Sequence, residues 1–597
     1  MRILGINAGR AVPPRCDPTR QRRLADGSSA FVDGGRIICA TPEERHQRVK
    51  YAGGFRRSAP VALAQGRCRI EDVDAIGIST CCDTIWTNAS DRLDALVEEL
   101  AGSYSADAVR HACAGRVHAV DHHDSHAMLA FVGSGFRRGL VCVFDGFGNR
   151  LDQPDQFDTG SDWWRGSFER QTTYLGEWID GHVHLERVNE GARGKNEVGL
   201  AELYRSVTHF MGWPSYQFAG KTMALASYGN PNRFRDLDLI LAGQHEIRVN
   251  VSNIHNDPIG QISQALEQAG YCVPEDIKRP AQPQEAFLCD LAASVQKQLE
   301  DALIDFVGGM ADHYGVSNIA FAGGLALNCV ALGKLARARS DLRIYVPPAP
   351  GDTGQGLGNA LWLAYSDQSP VYESVRPKPI NSAALGTNAE MSAQRLESLS
   401  LDEAHAVRCY DHIVSAALAR AVATQLAQGK IIGMRVGRAE CGPRALGQCS
   451  ILADPRTKTI RHRVNEIKHR ELFRPFAASV RSEDLHACFP NAPDSPFMSF
   501  AAEAADAIRR AAPGVVHVDG TTRYQTVDRG SGLLRSILDE FYQLSGVPLL
   551  LNTSFNLSGE PMAETADDAL DMFNRSTLDA LILDDVLITR QRTGAFT

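Results

Sequence analysis

Short apolar runs closed by turn residues alternate with longer amphipathic stretches along most of the chain, and this pattern predicts an α/β protein. Met1 to Asn7 is apolar for only a few residues before Arg10 and Arg15 arrive, so it reads as a first strand rather than a secretory signal. Phe31 to Ile38 reads as a hairpin, with Asp33-Gly34 supplying the positive φ angles of a tight turn. Further strands are expected at Gly139 to Phe144, running into Asp145-Gly146, at Ile319 to Ala322, running into Gly323-Gly324, and at Ile344 to Val346, ahead of Pro347-Pro348. Leu288 to Met310 and His412 to Gln428 have the spacing of helices, and Ile431 to Met434 and Val547 to Leu551 that of strands.

A chain of 597 residues exceeds what one hydrophobic core supports, so at least two domains are expected. The pattern fades between Ser366 and Asn388 into Ser, Pro and Asn, with Pro370, Pro377 and Pro379. This places a first domain at 1–368, a linker at 369–388 and a second domain at 389–597. No repeat of solenoid length and no low-complexity tract is visible. The net charge of −9 argues against a chain whose business is coating nucleic acid, although a local basic pocket stays open. No run of 18 apolar residues occurs, so no membrane span is expected. The 14 cysteines include the adjacent Cys81 and Cys82 but no C-x-x-C pair; reduced thiols in a cytoplasmic protein are the simplest reading.

Candidate chemistry starts at Asp121-His122-His123-Asp124-Ser125-His126. If Asp121 caps a helix, His122 and His126 stand at i and i+4 on one face, a spacing that lets two imidazoles hold one metal ion. His123 is turned about 100 degrees away and is the weaker candidate. A cluster of hydrogen-bonded histidines is the plain alternative. Asp145 and Asp352, the latter in Gly351-Asp352-Thr353-Gly354, both read as strand-end aspartates and complete a mixed nitrogen and oxygen set suited to iron, manganese or zinc, though each alone could be a turn residue. Gly323-Gly324 is a turn at which a nucleotide could meet a helix N-terminus, and equally a plain strand-helix turn. Gly220-Lys221-Thr222 matches the tail of a P-loop but lacks the upstream glycine spacing.

Arg435 to Arg474 is the basic stretch of an acidic chain, with ten Lys/Arg against four Asp/Glu. Gly, Pro and Phe interleave with its charges, which favours a small-anion pocket over a solvated face, and aromatics for stacking bases are few. Arg523, and Asn552-Thr553-Ser554 at the end of an apolar strand, can join such a pocket or be satisfied turn residues.

Six of these motifs occur together in chain order. They are His122-His123-x-x-His126-Ala127, Gly220-Lys221-x-Met223-x-Leu225-Ala226-x-Tyr228-Gly229, Ala322-Gly323-Gly324-x-x-Leu327-Asn328, Gly442-Pro443-Arg444-Ala445-Leu446-Gly447, Lys468-x-Arg470-Glu471-x-Phe473-Arg474-Pro475-Phe476 and Leu551-Asn552-Thr553-Ser554-Phe555-Asn556. Their set resembles the O-carbamoyltransferase family of nodulation-factor, cephamycin, tobramycin and ansamycin biosynthesis, over nearly the whole chain. The resemblance implies an N-terminal actin-like ATPase-type domain, similar to the threonylcarbamoyl-transfer protein. It also implies a C-terminal α/β domain similar to threonylcarbamoyl-adenylate synthases. The implied reaction makes carbamoyl adenylate from carbamoyl phosphate and ATP at the C-terminal site, then transfers carbamoyl to a small-molecule alcohol at the N-terminal metal site. Carried onto this chain, the metal ligands are His122, His126, Asp145 and Asp352, with Fe2+ the first choice and Mn2+ or Zn2+ the alternatives. Nucleotide binding, with ATP and Mg2+ as co-substrate, falls on Gly220, Lys221, Gly323, Gly324 and Asn328. Carbamoyl phosphate binding falls on Arg438, Arg444, Lys468, Arg523, Asn552 and Ser554, and catalytic roles on Asp26, His126 and Asp145.

One departure stands out: Ala25, before Asp26, occupies the place where the family carries a histidine able to act as base for the acceptor hydroxyl. Glu43-Glu44-Arg45 and Lys50 do match the family pattern. Trp163, Trp164, Trp178 and Trp213 could line an acceptor site or serve the core. No nucleic-acid or membrane partner is expected, and a homodimer is an admissible assembly. Two other readings are a tRNA threonylcarbamoyl transferase, which needs a basic RNA-binding surface, and a non-catalytic nucleotide- and metal-binding module, which leaves the C-terminal anion motifs without a purpose.

Overall fold

The computed structural model describes residues 1–9, 26–81, 89–149, 151, 167–194, 197–214, 216–251, 254, 257–371, 376–389 and 405–590. Arg10, Arg15, Ala25, Cys82, Trp163, Trp164 and most of the polar stretch from Leu151 to Asp162 lie outside the described residues. The chain divides into unit 1, Met1–Gln47 with Tyr51–Ile380, and unit 2, Arg48–Lys50 with Asn381–Thr597. The division falls inside the stretch expected as a linker. The end of that stretch, Ala384–Asn388, is a strand paired with Arg438–Glu440 rather than connecting chain. Among the described residues no helix is long and apolar enough to cross a membrane.

Unit 1 holds two five-stranded sheets of the same plan. The strands of the first are β1 (Arg2–Asn7), β2 (Ser28–Asp33), β3 (Arg36–Pro42), β4 (Ala75–Ser79) and β5 (Val117–Ala119), in the order β3-β2-β1-β4-β5. The second comprises β6 (Arg138–Phe144), β7 (Gln171–Ile179) and β8 (His182–Gly191). After a small ribbon of β9 (Ile240–Ala242) and β10 (Ile247–Val249), β11 (Asn318–Ala322) and β12 (Arg343–Tyr345) complete it. Its order is β8-β7-β6-β11-β12. In both sheets an antiparallel meander of three strands is extended by two strands parallel to the first of them. β1 is buried along five of its six residues, with Leu4 and Ile6 packed among Phe31, Ile76 and Ile78. Burial on both faces is what a strand bearing a parallel neighbour needs, and the apolar composition of β1 supplies it. The hairpin turn is Gly34-Gly35, both at positive φ, because Asp33 still pairs with Arg36; Asp33-Gly34 is not the turn pair.

Two helices cross between the sheets. His122–Ser134 follows β5 of the first sheet yet packs on β6, β7 and β11 of the second. Gln355–Tyr365 follows β12 of the second sheet yet packs on β1, β2 and β4 of the first. The two helices also pack on one another, closely enough that a Cβ on Gly358 would stand 2.2 Å from the Ser125 carbonyl oxygen. After Gly323-Gly324 the chain makes a 3-10 turn, Gly324–Leu327, before the Cys329–Ala338 helix begins, so the glycine pair does not open that helix directly. Gly323 sits at φ +84°, and a Cβ there would meet the Phe144 carbonyl oxygen at 2.3 Å.

Unit 2 is built on a nine-stranded mixed sheet with a two-stranded flank, β13 (Ala384–Asn388) with β16 (Arg438–Glu440). The sheet strands are β14 (His405–Cys409), β15 (Ile432–Arg435), β17 (Cys449–Ala453), β18 (Ala477–Arg481), β19 (Phe500–Glu503), β20 (Thr521–Val527), β21 (Leu549–Ser554), β22 (Ala580–Leu583) and β23 (Val586–Arg590). Their order is β14-β23-β22-β15-β17-β21-β18-β20-β19. Asn552 to Ser554 therefore lie within β21 and not beyond it, with Asn552 facing Leu452 of β17 and Ala477 of β18.

Gly358→Ala separates the packing and propensity effects at the helix crossing. Alanine favours a helix over glycine by about 1 kcal/mol, whereas an extra methyl forced against backbone costs about 1–3 kcal/mol. Because the opposing atom is a backbone carbonyl, packing wins and the variant unfolds at lower urea than the wild type. An unchanged or raised midpoint would mean that the helices part without cost.

Candidate metal and anion sites

The two crossing helices begin at the same place, and their N-terminal turns carry the first site. Asp121 caps the His122–Ser134 helix, its side chain accepting from the His123 and Asp124 amides. The i, i+4 spacing then sets His122 and His126 side by side, with ring centroids 5.0 Å apart. Asp145 is the residue after β6; its Oδ1 accepts from the Gly324 amide at 2.7 Å, which turns Oδ2 toward His122 Nε2 at 3.3 Å. Asp352 does not lie at a strand end as the sequence suggested. It opens the 3-10 turn before the Gln355–Tyr365 helix, seven residues past β12, and its Oδ1 lies 3.3 Å from His126 Nε2 and 3.5 Å from His122 Nε2. Donor atoms of all four residues lie within 4.8 Å of one another.

This donor set fits a divalent transition metal. His122 donates its Nδ1–H to the Thr80 carbonyl at 3.1 Å, the outer contact that fixes the ring with Nε2 toward the carboxylates. His126 Nδ1 is buried without a hydrogen-bond partner. Burial opposes charge on His122, but Asp145 and Asp352 outweigh it and hold the imidazole well above its ordinary pKa; the pocket's field favours a cation. Burial alone would raise Asp352, yet the two imidazoles keep its carboxyl far below the usual range. His123 stays outside the cluster: its Nδ1 pairs with Thr172 Oγ1 at 2.8 Å, and burial, with the two neighbouring imidazoles, drives its pKa well down.

Around this centre, Arg187 of β8 grips the first helical turn, reaching Asp121 at 2.9 Å, Asp124 at 2.8 Å and Glu169 at 2.6 Å. Asp26, at φ +79°, is tied in by its backbone: Asn7 Nδ2 donates to the carbonyls of both Asp26 and Asp352. The residues expected to bind nucleotide are engaged within the protein. The Gly323 amide donates to Pro350 and the Gly324 amide to Asp145. Asn328 caps the Cys329–Ala338 helix and pairs with Gln296. Gly220 and Lys221 lie inside the Ala219–Ala226 helix, with the Lys221 ammonium 4.0 Å from the Trp213 ring and 4.4 Å from the Phe218 ring. Trp213 and Trp178 pack against other side chains, Phe218 and Tyr365 respectively.

The second site lies in unit 2. Lys468 ends the Thr459–Ile467 helix, and its Nζ donates to Ser554 Oγ at 3.2 Å, to the Asn556 carbonyl at 2.8 Å, to Asn556 Oδ1 at 3.0 Å and to the Ser554 carbonyl. Burial first, then Arg470, Arg474 and Lys50, hold its pKa well below that of a free lysine. Arg470 is depressed in the same way by burial, Arg474 and Arg523. These buried cations press on one another, and among the described residues of unit 2 Arg523 Nε and Asn552 Oδ1 are buried polar atoms with no hydrogen-bond partner. Asn552 is oriented by donating to Ser479 Oγ at 2.9 Å and the Ala445 carbonyl at 3.3 Å. Arg438 donates from its guanidinium to the carbonyls of Leu385 and Gly386. Arg444 lies in the turn before Ala445, half-buried. Sequence reasoning passed over Arg470, Arg474 and Asn556 as site residues, although the Lys-x-Arg-Glu-x-Phe-Arg-Pro-Phe and Ser-Phe-Asn motifs contain all three. Gln355, whose side chain lies 2.7 Å from His122, had no signal in spacing or charge.

Comparison with known proteins gives the class. Residues 21–361 match the family model described as carbamoyltransferase N-terminus, and residues 423–590 match carbamoyltransferase C-terminus. The chain belongs to the carbamoyltransferase family and is an enzyme that transfers carbamoyl groups. It is 31% identical over 597 residues to the nodulation protein NolNO of Sinorhizobium fredii, covering 96% of this chain and 80% of that one. It is 31% identical to the nodulation protein NolO of Bradyrhizobium diazoefficiens, covering 79% of each. With 3'-hydroxymethylcephem-O-carbamoyltransferase of Amycolatopsis lactamdurans it shares 29% identity over 65% of this chain and 69% of that one.

A cluster of mutually repelling cations is relieved by an anion, so inorganic phosphate should raise the melting temperature of the full chain at low ionic strength. The gain reaches about 2.7 kcal/mol at a phosphate concentration a hundredfold above Kd and shrinks as salt rises. Arg523→Ala should reduce the shift, and melting indifferent to phosphate would contradict an anion site here.

Proposed function

We propose that the chain is an ATP-dependent O-carbamoyltransferase that acts on a hydroxyl of a small-molecule natural product, by way of carbamoyl adenylate. The observation that carries this reading is the separation of two opposite electrostatic centres. Unit 2 holds buried cations around Lys468 that suit a phosphate or carbamate, while unit 1 gathers two imidazoles and two carboxylates that suit a metal. The name of the cephem relative, a 3'-hydroxymethylcephem-O-carbamoyltransferase, supports an alcohol as acceptor.

In unit 2, Lys468, Arg523, Asn552 and Ser554 bind carbamoyl phosphate, with Arg444 as a further anion contact and Arg470 and Arg474 deepening the positive field. Carbamoyl phosphate loses phosphate to water and leaves carbamate. A carbamate oxygen then attacks the α-phosphorus of ATP and expels pyrophosphate, so that AMP becomes the leaving group on the carbamoyl carbon. In unit 1, His122, His126, Asp145 and Asp352 would hold the divalent metal, Fe2+ first and Mn2+ or Zn2+ as alternatives. When bound, it supplies Lewis acidity toward phosphate and carbonyl oxygens. The acceptor oxygen attacks the carbamoyl carbon, the bond to AMP breaks, and the hydroxyl proton passes to a base; Asp26, tethered beside Asp352 through Asn7, is the residue we assign to it. The doubled sheet plan of unit 1 supports an actin-like ATPase-type domain, and unit 2 takes the adenylate-forming role. Mg2+ accompanies ATP.

The half-reactions should separate by mutation. Lys468→Ala and Arg523→Ala should suppress pyrophosphate release from ATP and carbamoyl phosphate by about ten- to a hundredfold, the scale of one lost charge-assisted contact. His126→Ala should leave much of that release intact and abolish AMP formation with an alcohol acceptor. Labelled ATP follows both products in one tube. Parallel loss of both activities in folded His126→Ala and Lys468→Ala proteins would contradict the division.

A further inference from the structure

Gln355 is the first residue of the second crossing helix and is fully buried. Its backbone is fixed at both ends of the peptide unit: the amide donates to the Asp352 carbonyl, and the carbonyl accepts from Ser125 Oγ at 3.1 Å. Its side chain reaches into the metal-ligand cluster, with Nε2 2.7 Å from His122 Nε2, nearer than either carboxylate oxygen. A chain of hydrogen bonds holds the amide there. Asn359 Nδ2 donates to the Ile6 carbonyl at 2.6 Å and to Ser79 Oγ at 2.8 Å. The Ser79 hydroxyl therefore has its proton free to donate to Gln355 Oε1, at 2.8 Å. The amide tip thus stands against His122 Nε2, while His122 Nδ1–H goes to Thr80.

A buried amide tip inside the donor set has two orientations of nearly the same shape, since turning the last torsion exchanges oxygen for nitrogen. A cation held among His122, Asp145 and Asp352 would repel an inward N–H and favour the orientation with oxygen inward and nitrogen toward Ser79. That orientation would cost the Ser79 hydroxyl its acceptor and supply an oxygen ligand. Amide oxygens suit harder cations that take more than four ligands, whereas zinc is content with four.

We infer that Gln355 is a fifth donor of the unit 1 centre, through its amide oxygen, and biases that centre toward divalent cations such as Mn2+ or Fe2+ over Zn2+. The inference rests on the metal reading of His122, His126, Asp145 and Asp352.

The test is titration calorimetry of the metal-stripped full chain with Mn2+ and with Zn2+. Wild type should bind both. Gln355→Leu should weaken Mn2+ by about tenfold or more, the scale of losing a supporting metal contact, while Zn2+ changes far less. Gln355→Glu, which keeps an oxygen at that position, should retain Mn2+ binding. A role confined to packing moves the two metals together, so equal losses, no change, or tighter Mn2+ binding in Gln355→Leu would overturn the inference. Cobalt substitution gives a second readout, compared between proteins because water also adds to the ligand count. Visible absorption that intensifies from wild type to Gln355→Leu, as a ligand is lost, supports the assignment, and intense four-coordinate bands already in wild type overturn it. A wild type that binds neither Mn2+ nor Zn2+ overturns the metal reading itself and Gln355 with it.

Discussion

Everything proposed for unit 1 depends on two helices being exchanged between two sheets. The histidine helix leaves the first sheet and packs on the second, and the Gln355–Tyr365 helix does the reverse, so their N-terminal turns meet between the sheets. Glycine at 358 lets them approach backbone to backbone. That closeness sets Asp352 beside His126, 226 residues earlier in the chain. The N-terminal ends of both helices also place positive dipole ends at the centre, which favours the carboxylates it contains. A metal there would neutralise charge that the fold has already gathered, and the free energy of assembling Asp145 and Asp352 without one is borne by the imidazoles, as the depressed pKa of Asp352 reflects.

Unit 2 solves the opposite problem. Burying Lys468 and Arg470 near one another costs folding free energy, and burial with the neighbouring cations depresses the pKa of each. Lys468 recovers part of that cost through four oxygen contacts from Ser554 and Asn556. If an anion binds among these cations as proposed, its binding and the local stability are linked.

The sequence was legible where chemistry is local. The i, i+4 histidines, the Asp121 cap and the carboxylate after an apolar strand all follow from neighbours in the chain, and the structure has them as read. Asp352 was found through its motif but misplaced, because nothing local distinguishes a strand end from a 3-10 turn seven residues later. Gly324 and Asn328 were read as nucleotide contacts; what the structure adds is that Gly324 orients Asp145 and Asn328 caps a helix, local roles that a glycine pair and an asparagine do not announce in sequence. Asn552 was expected at a strand end and is instead held inside the sheet between β17 and β18. The doubled sheet plan was invisible, since it is a repeat of topology across connections of unequal length and not of sequence. Gln355 was invisible too, because its partners Ser79 and His122 come together with it only in three dimensions.

The central claim is that unit 1 carries a metal centre independent of the anion pocket in unit 2. Elemental analysis of the purified full chain tests it most directly, run on wild type, a His122→Ala, His126→Ala double variant, and Arg523→Ala. The account predicts about one divalent transition metal per chain, the stoichiometry of a single closed donor set, in wild type and Arg523→Ala, and none in the folded double variant. Full metal occupancy in the double variant, or metal lost from Arg523→Ala alone, would contradict it.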